Sequence, residues 1–258
     1  MSRNICVILC VLCLLVGGNS RSAAASLPYV NCEISDQPEQ VAPPKEVIDI
    51  SLPVAIAAKL AYYYFHGDIV LAPRGWSCFD KSHFGSTLEI LEVNPKDSNS
   101  PIYGVYSGSI INGTIGNQAE IYDWTKAYFP QFPQYVPDQY QVGPGTFSSR
   151  EEISTIPRYP SDTLRNNNPF LVRYLTQRFN GGIGLYIIDH VMNTQAKRQS
   201  PAVPIQGFIA ISTSPQARAC TLFLYAMTLP PEFSELEPYL LEEKEHKTDT
   251  IIQSGQGC

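Results

Sequence analysis

The sequence predicts an α+β fold: a largely antiparallel sheet with two or three helices in a single globular domain. Three observations carry this. Two segments with helical spacing lie towards the front, around residues 54–65 and 118–128. The last third is rich in Val, Ile, Leu and Tyr runs of strand length. A Pro-Pro pair at 230–231 then opens an acidic closing helix. Helices in front, strands behind and a helix at the end fit helices packed on an antiparallel sheet.

The elements follow in order. Residues 26–46 carry Pro28, Pro38, Pro43 and Pro44 among polar residues and read as an extended lead-in. The globular domain is expected over residues 47–241. Pro53 sets a helix start, with Val54, Ala57, Ala58, Ala61 and Phe65 on one face and Gly67 as the stop. Ile69-Val70-Leu71 is a short strand. Leu88 and Ile90 alternate with Thr87 and Glu89 up to Pro95, and Ile102–Ile111 is a strand containing Gly104 and Gly108. A second helix is expected over Gln118–Tyr128, where Asn117 and Glu120 form a capping box and Ile121, Trp124 and Tyr128 share a face. Residues 129–149 are proline- and aromatic-rich and read as an ordered loop. Strands are expected at Phe170–Thr176, at Ile183–Ile188, at Ile205–Ser212 and at Cys220–Met227, the last two joined by a hairpin loop. The closing helix runs through Leu236, Tyr239 and Leu240, and residues 242–258 read as a charged C-terminal tail. No internal repeat is visible.

The N-terminus predicts an address. Arg3 precedes an unbroken apolar run from Ile5 to Val16, and Ala23-Ala24-Ala25 supplies small residues at the exit. That pattern is a secretory signal, with cleavage expected after Ala25. The run is shorter than the ~20 residues of a membrane span, and no second apolar segment is long enough. The expected location is secreted or periplasmic.

Cleavage would remove Arg3 and Arg21 and no acidic residue, moving the net charge from −6 to −8. An acidic chain without a Lys/Arg run argues against nucleic acid and anionic membranes as partners. Of seven cysteines, Cys32, Cys78, Cys220 and Cys258 remain after the signal. An even number in an exported chain predicts two disulfides out of three possible pairings. The preferred pairing is Cys78 with Cys220, inside the core, and Cys32 with Cys258, joining the ends. Their spacings are too wide for a zinc finger, and His66, His83, His190 and His246 match no ligand spacing, so neither a metal nor another cofactor is expected.

Leu71-Ala72-Pro73-Arg74-Gly75-Trp76-Ser77-Cys78, followed by Gly85-Ser86-Thr87-Leu88, resembles the LAPRGWxC signature of a group of uncharacterised secreted bacterial proteins. Shorter motifs of that group are matched by Tyr159-Pro160-Ser161-Asp162, Gly182-Ile183-Gly184, Pro204-Ile205-Gln206-Gly207 and Leu229-Pro230-Pro231. The resemblance covers roughly residues 53 to 241. The chain departs from it at Phe79-Asp80-Lys81, where a glycine-rich stretch is expected, and in residues 129–149. It implies export and a single domain, and no activity. Within the motif, Pro73 fixes one dihedral and Gly75 frees another, presenting Arg74 at a bend beside Trp76. The pair reads as a structural staple, Arg74 pairing internally and Trp76 packing, or alternatively as a binding surface.

Candidate chemistry is thin. Cys78 near His83, with Asp189-His190 at the end of an expected strand, has the residue types of a cysteine hydrolase, but exported cysteines oxidise. Gly104-Val-Tyr-Ser-Gly108 is out of register for a nucleophile elbow. Glu89 and Glu92 fall on opposite faces of a strand and make a poor glycosidase pair. Asn112-Gly113-Thr114 is a glycosylation sequon that matters only in a eukaryotic host. The sequence therefore leads to an exported accessory or binding protein without catalytic activity, with an envelope or extracellular molecule as partner. A secreted hydrolase using Asp189 and His190, or an inhibitor or immunity protein for a secreted toxin, are the alternatives.

Overall fold

The apolar stretches at Pro204–Thr213 and Ala219–Thr228 become the middle of a sheet. The fold is α+β, and strands dominate it. The computed structural model describes residues 27–34, 51–65, 68–80, 88–96, 103–111, 115–132, 140–142, 145–147, 159–160, 162–177, 181–192, 203–214 and 219–255. In chain order the strands are β1 (Tyr29–Asn31), β2 (Glu33–Ile34), β3 (Leu60–Phe65), β4 (Asp68–Pro73), β5 (Ser77–Asp80), β6 (Leu88–Asn94), β7 (Gly104–Ile111), β8 (Tyr140–Val142), β9 (Gly145–Phe147), β10 (Thr163–Asn168), β11 (Leu171–Gln177), β12 (Pro204–Thr213) and β13 (Ala219–Thr228). The helices are α1 (Val54–Ala57), α2 (Ile115–Tyr128), α3 (Ile183–Met192) and α4 (Glu237–Ser254), the last preceded by a 3₁₀ turn at Pro231–Leu236.

Eight strands form the main sheet in the order β10-β11-β12-β13-β7-β6-β5-β2, antiparallel throughout except for β2, which pairs parallel with β5. A three-stranded sheet, β1-β3-β4, packs on one face. Successive side chains of a strand point to opposite faces, and both faces here are covered. Phe208 and Ala210 of β12, with Tyr225 and Met227 of β13, enter the core shared with β3, β4 and α4. Ile205, Ile209 and Ile211, with Leu222, Leu224 and Ala226, enter the opposite core, roofed by α2 and α3. Burial on both faces explains why β12 and β13 read as continuous apolar runs rather than as alternating strands.

Two expected elements have the other secondary structure. The helix expected from Val54 to Phe65 stops at Ala57, and Leu60–Phe65 is strand β3, buried along its whole length. Leu-Ala-Tyr-Tyr-Tyr-Phe is an aromatic run with strand preference, and it pairs antiparallel with β4 from Leu60 opposite Pro73 to Phe65 opposite Asp68. A strand without an exposed face shows no alternation, so its period is unreadable. Conversely, Ile183–Ile188, expected as a strand, belongs to α3. Ile183, Leu185, Ile187 and Ile188 are all buried, and a helix that is apolar nearly all round carries no polar stripe to reveal its 3.6 period. Its start is set from a distance. The carboxylate of Asp162 accepts the Ile183 backbone N–H at 2.9 Å and the Thr176 hydroxyl at 2.7 Å, and that hydroxyl accepts the Gly184 N–H at 3.1 Å. This is an N-terminal cap supplied 21 residues upstream.

The expected tail is also structure. Residues 242–254 continue α4, which ends on Gly255 in the left-handed conformation, φ 69°. Of the lead-in, residues 29–31 and 33–34 are strands, and residues 35–50 lie outside the described residues.

The disulfide pairing differs from the preferred one: Cys32 is bonded to Cys78, with Cα atoms 5.2 Å apart. Sheet register explains both outcomes. Glu33 of β2 lies opposite Phe79 of β5, which brings the residues before them together. Cys78 lies level with Val93, Val93 with Val105, and Val105 with Met227. Cys220 is therefore three strands over and at the far end of β13, beyond the reach of a disulfide. Cys32 is equally unavailable to Cys258. Cys220 is itself disulfide-bonded, to a partner outside the described residues.

Candidate functional site

The site lies under α4. Leu236, Leu240, Lys244 and Thr248 recur every fourth residue, and all four are buried. That spacing defines the inward face of a helix, with a lysine at a core position. Lys244 Nζ donates to Asp68 Oδ1 at 2.7 Å and to the Ile69 carbonyl at 3.3 Å. Asp68 opens β4, and its other carboxylate oxygen accepts the Ser107 hydroxyl at 2.9 Å. Lys247 Nζ donates to the same Ile69 carbonyl at 3.2 Å. Farther along, Arg173 pairs with Glu245, and Asn168 Nδ2 donates to Asp249 at 3.0 Å, fixing α4 over β10 and β11.

Between α4 and the sheet lies a cavity of about 140 Å³. Asp68, Ser107, Lys244 and Lys247 form its polar wall. Phe208, Phe223 and Ile251 are among its apolar lining residues. Burial pushes the Asp68 carboxyl upward, but the ammonium groups of Lys244 and Lys247 and the bonds from Lys244 and Ser107 outweigh it, so its pKa is held below the ordinary value. Asp68 is thus a carboxylate at neutral pH, a weak acceptor for a proton from Ser107. Ser107 lies within strand β7 rather than on a strand-to-helix turn, so it does not occupy a nucleophile elbow.

Beside this wall, Glu243 is 6% exposed, and neither carboxylate oxygen has a hydrogen-bond partner. Burial first, and Asp68 in addition, raise its pKa to about 7 against the pull of Lys244 and Lys247. The buried Tyr62 hydroxyl is also unpartnered, and burial and then Glu243 push its pKa up. A second acidic group lies on α2, where burial raises Asp123 to about 6 against Lys126.

The residues singled out in the sequence are dispersed. Arg74 and Gly75 form the turn after β4, Gly75 in the left-handed region at φ 86°, and Arg74 is exposed with its Nε donating to the Leu60 carbonyl at 3.3 Å. Trp76 is buried edge-on against Phe233, ring centroids 5.8 Å apart. The Tyr63 hydroxyl ties the turn, donating to the Pro73 carbonyl at 2.8 Å and accepting the Trp76 N–H at 3.0 Å. Cys78 anchors its far side through Cys32. Asp189 and His190 fall in α3, on the opposite side of the main sheet from the cavity, and their side chains lie outside the described set.

The shorter motifs also meet at joints. Asp162 and Gly182-Ile183-Gly184 form the capped start of α3. A side chain at Gly207 would strike the Tyr225 carbonyl and the Tyr174 ring, so glycine there lets the Tyr174 hydroxyl reach that carbonyl at 2.6 Å. The sequence reading missed Asp68, Ser107, Lys244, Lys247 and Glu243. A four-residue spacing continuing past Leu240 through Lys244 to Thr248 was the available signal. No family model, curated protein or solved structure matches this chain.

Proposed function

We propose that this chain is an exported accessory domain that binds an envelope or extracellular molecule and performs no chemistry on it. The carrying observation is the cavity under α4, whose charged groups hold one another fixed. Asp68 is kept ionised by Lys244 and already accepts the Ser107 hydroxyl, so the serine lacks a base able to take its proton. Groups held in such a network are placed to orient a ligand. The disulfides support an oxidising compartment. Among the described residues no helix is long and apolar enough to cross a membrane. Membership of the LAPRGWxC group belongs to the same proposal, and the structural use of its motifs fits a shared fold.

The test uses the oxidised protein lacking residues 1–25, assayed with ester, amide and glycoside substrates. Hydrolysis is expected to stay at the blank rate. Turnover that survives purification and disappears in the Asp189→Ala/His190→Ala double variant would replace this reading with the hydrolase.

A further inference from the structure

We propose that Cys220 is bonded to Cys258 and that this bond is a redox-sensitive latch on the C-terminal end of α4. Cys220 is disulfide-bonded, and Cys32 and Cys78 are bonded to each other. Of the remaining cysteines, Cys6, Cys10 and Cys13 stand in the apolar run near the N-terminus, and Cys258 stands three residues after Gly255. Two features of the described residues choose among them.

The first is the direction of the Cys220 sulfur. Ser212 lies opposite Thr221, and Thr213 opposite Ala219, so Cys220 is the extra residue of a bulge and strand alternation does not set its side. Ser212 sets it. That residue alternates in step with Phe208 and Ala210, which enter the core under α4, and its hydroxyl oxygen is 3.4 Å from the Cys220 sulfur. The sulfur is therefore on the α4 side of the main sheet. The second is the path of α4. Glu245 pairs with Arg173, which stands level with Phe208 and Tyr225 across the sheet. Asp249 accepts from Asn168, which stands level with Leu171, Ala210 and Phe223. Moving along α4 thus moves back along β13, towards the start of that strand. From Asp249 to Gly255 the helix rises ~9 Å, and from Phe223 back to Cys220 the strand covers ~10 Å. Gly255 therefore ends the helix close to the level of Cys220. The three residues on to Cys258 span up to ~10 Å, and a disulfide needs Cα atoms about 5.5 Å apart. Forming the bond takes two electrons and two protons from the two thiols, and an external disulfide accepts them and becomes a dithiol. Once formed, the bond holds the last turns of α4, with Thr248 and Ile251, over the cavity they line.

The test maps the bonds in the protein expressed from the whole sequence and purified without reductant. The chain is denatured, alkylated and cut with trypsin, and the peptides are weighed before and after reduction. Cys220 then lies in the peptide of residues 219–244 and Cys258 in that of residues 248–258. The expected result is these two peptides joined and parting on reduction. Cys220 joined to any other cysteine, or either cysteine alkylated, would overturn the proposal. The latch is read by backbone hydrogen exchange in the Cys220→Ser/Cys258→Ser variant. The amides of residues 249–254 should exchange at least about tenfold faster than in the parent, and those of residues 240–244 at the parent's rate. Where that variant does not fold, Cys258→Ala is measured in its place. Unchanged exchange at residues 249–254 would overturn the latch and leave a bond that only links two segments. None of these results bears on the binding-module reading, which falls only if the domain turns over a substrate.

Discussion

Glu243 is a buried carboxyl group whose oxygens have no hydrogen-bond partner. Its pKa of about 7 in the fold, against an ordinary value near 4.5, makes it a proton-linked element of stability. A raised carboxyl pKa means that the folded chain holds a proton which the unfolded chain releases between about pH 4.5 and 7. Stability from this group is full below the lower value and is lost as pH rises through about 7. The loss is on the order of 3 kcal/mol at pH 8. Glu243→Gln keeps the shape and removes the ionisation. Chemical denaturation of the variant should show a flatter decline between pH 5 and pH 8, and a decline as steep as the parent's would remove Glu243 as its source. Nothing in the sequence exposes this residue. Glu242-Glu243-Lys244-Glu245 reads as four solvated charges, and only the packing of α4 on β3 and β4 separates the buried pair from its neighbours. The turn residues were far more legible. Pro73, Gly75 and Trp76 carry local backbone and packing requirements that do not depend on the rest of the fold.

Helix α4 is held down by ionic groups where a core helix would ordinarily use apolar ones. Lys244 and Asp68 are the central pair, at 10% and 24% side-chain exposure. Asp68→Asn removes the carboxylate and leaves the Lys244 ammonium in place without its counter-ion. Breaking a largely buried pair from one side costs roughly 3 kcal/mol, the low end for such pairs because water still reaches Asp68. Urea unfolding should show that loss at pH 6, and it should shrink in the Asp68→Asn/Lys244→Met double variant, which removes the buried ammonium as well. Equal stability of the parent and the single variant would mean that the pair does not anchor the helix. The signs of the two groups oppose. Asp68 has a lowered pKa, so its contribution is present above the unfolded value and fades as pH falls through the folded one. Glu243 fades in the alkaline direction, so α4 is docked best between the two limits. At this scale the sequence was legible where large apolar residues recur at helical spacing, as in α2, whose Ile121, Trp124 and Tyr128 face the core. It was illegible for β3 and α3. β3 is buried along its whole length and α3 over most of Ile183–Ile188, and the strand partner of one and the cap of the other come from elsewhere in the chain.

Over the whole molecule, one short segment adds a strand to each of the two larger sheets. β1 adds to the small sheet beside β3, β2 adds to the main sheet beside β5, and Cys32 lies between them, bonded to Cys78. The bridge closes 46 residues, and in the chain-entropy picture such a loop contributes about 4 kcal/mol. A Cys32→Ser/Cys78→Ser variant should lose stability of that order in oxidising buffer, with unchanged unfolding cooperativity. A change under about 1 kcal/mol would mean that the strands hold the seam unaided. Cys32 and Cys78 together with the bonded Cys220 also predict that the four cysteines after residue 25 present no thiol to alkylation of the denatured, unreduced chain. The class of fold was legible because β6, β7, β11, β12 and β13 announce themselves locally, and the β12–β13 hairpin with them; the order of the remaining strands was not, since it is set by pairings remote in sequence. The seam also imposes a timetable. A chain delivered N-terminus first presents β1 and β2 before either of their partners exists, and both wait as unpaired edges. Cys32 stays a reactive thiol until Cys78 arrives 46 residues later. The earliest part of the chain to emerge is therefore among the last to be locked, and an oxidant that acts too soon meets Cys32 alone, where a mixed disulfide with the wrong thiol is the only bond it can make.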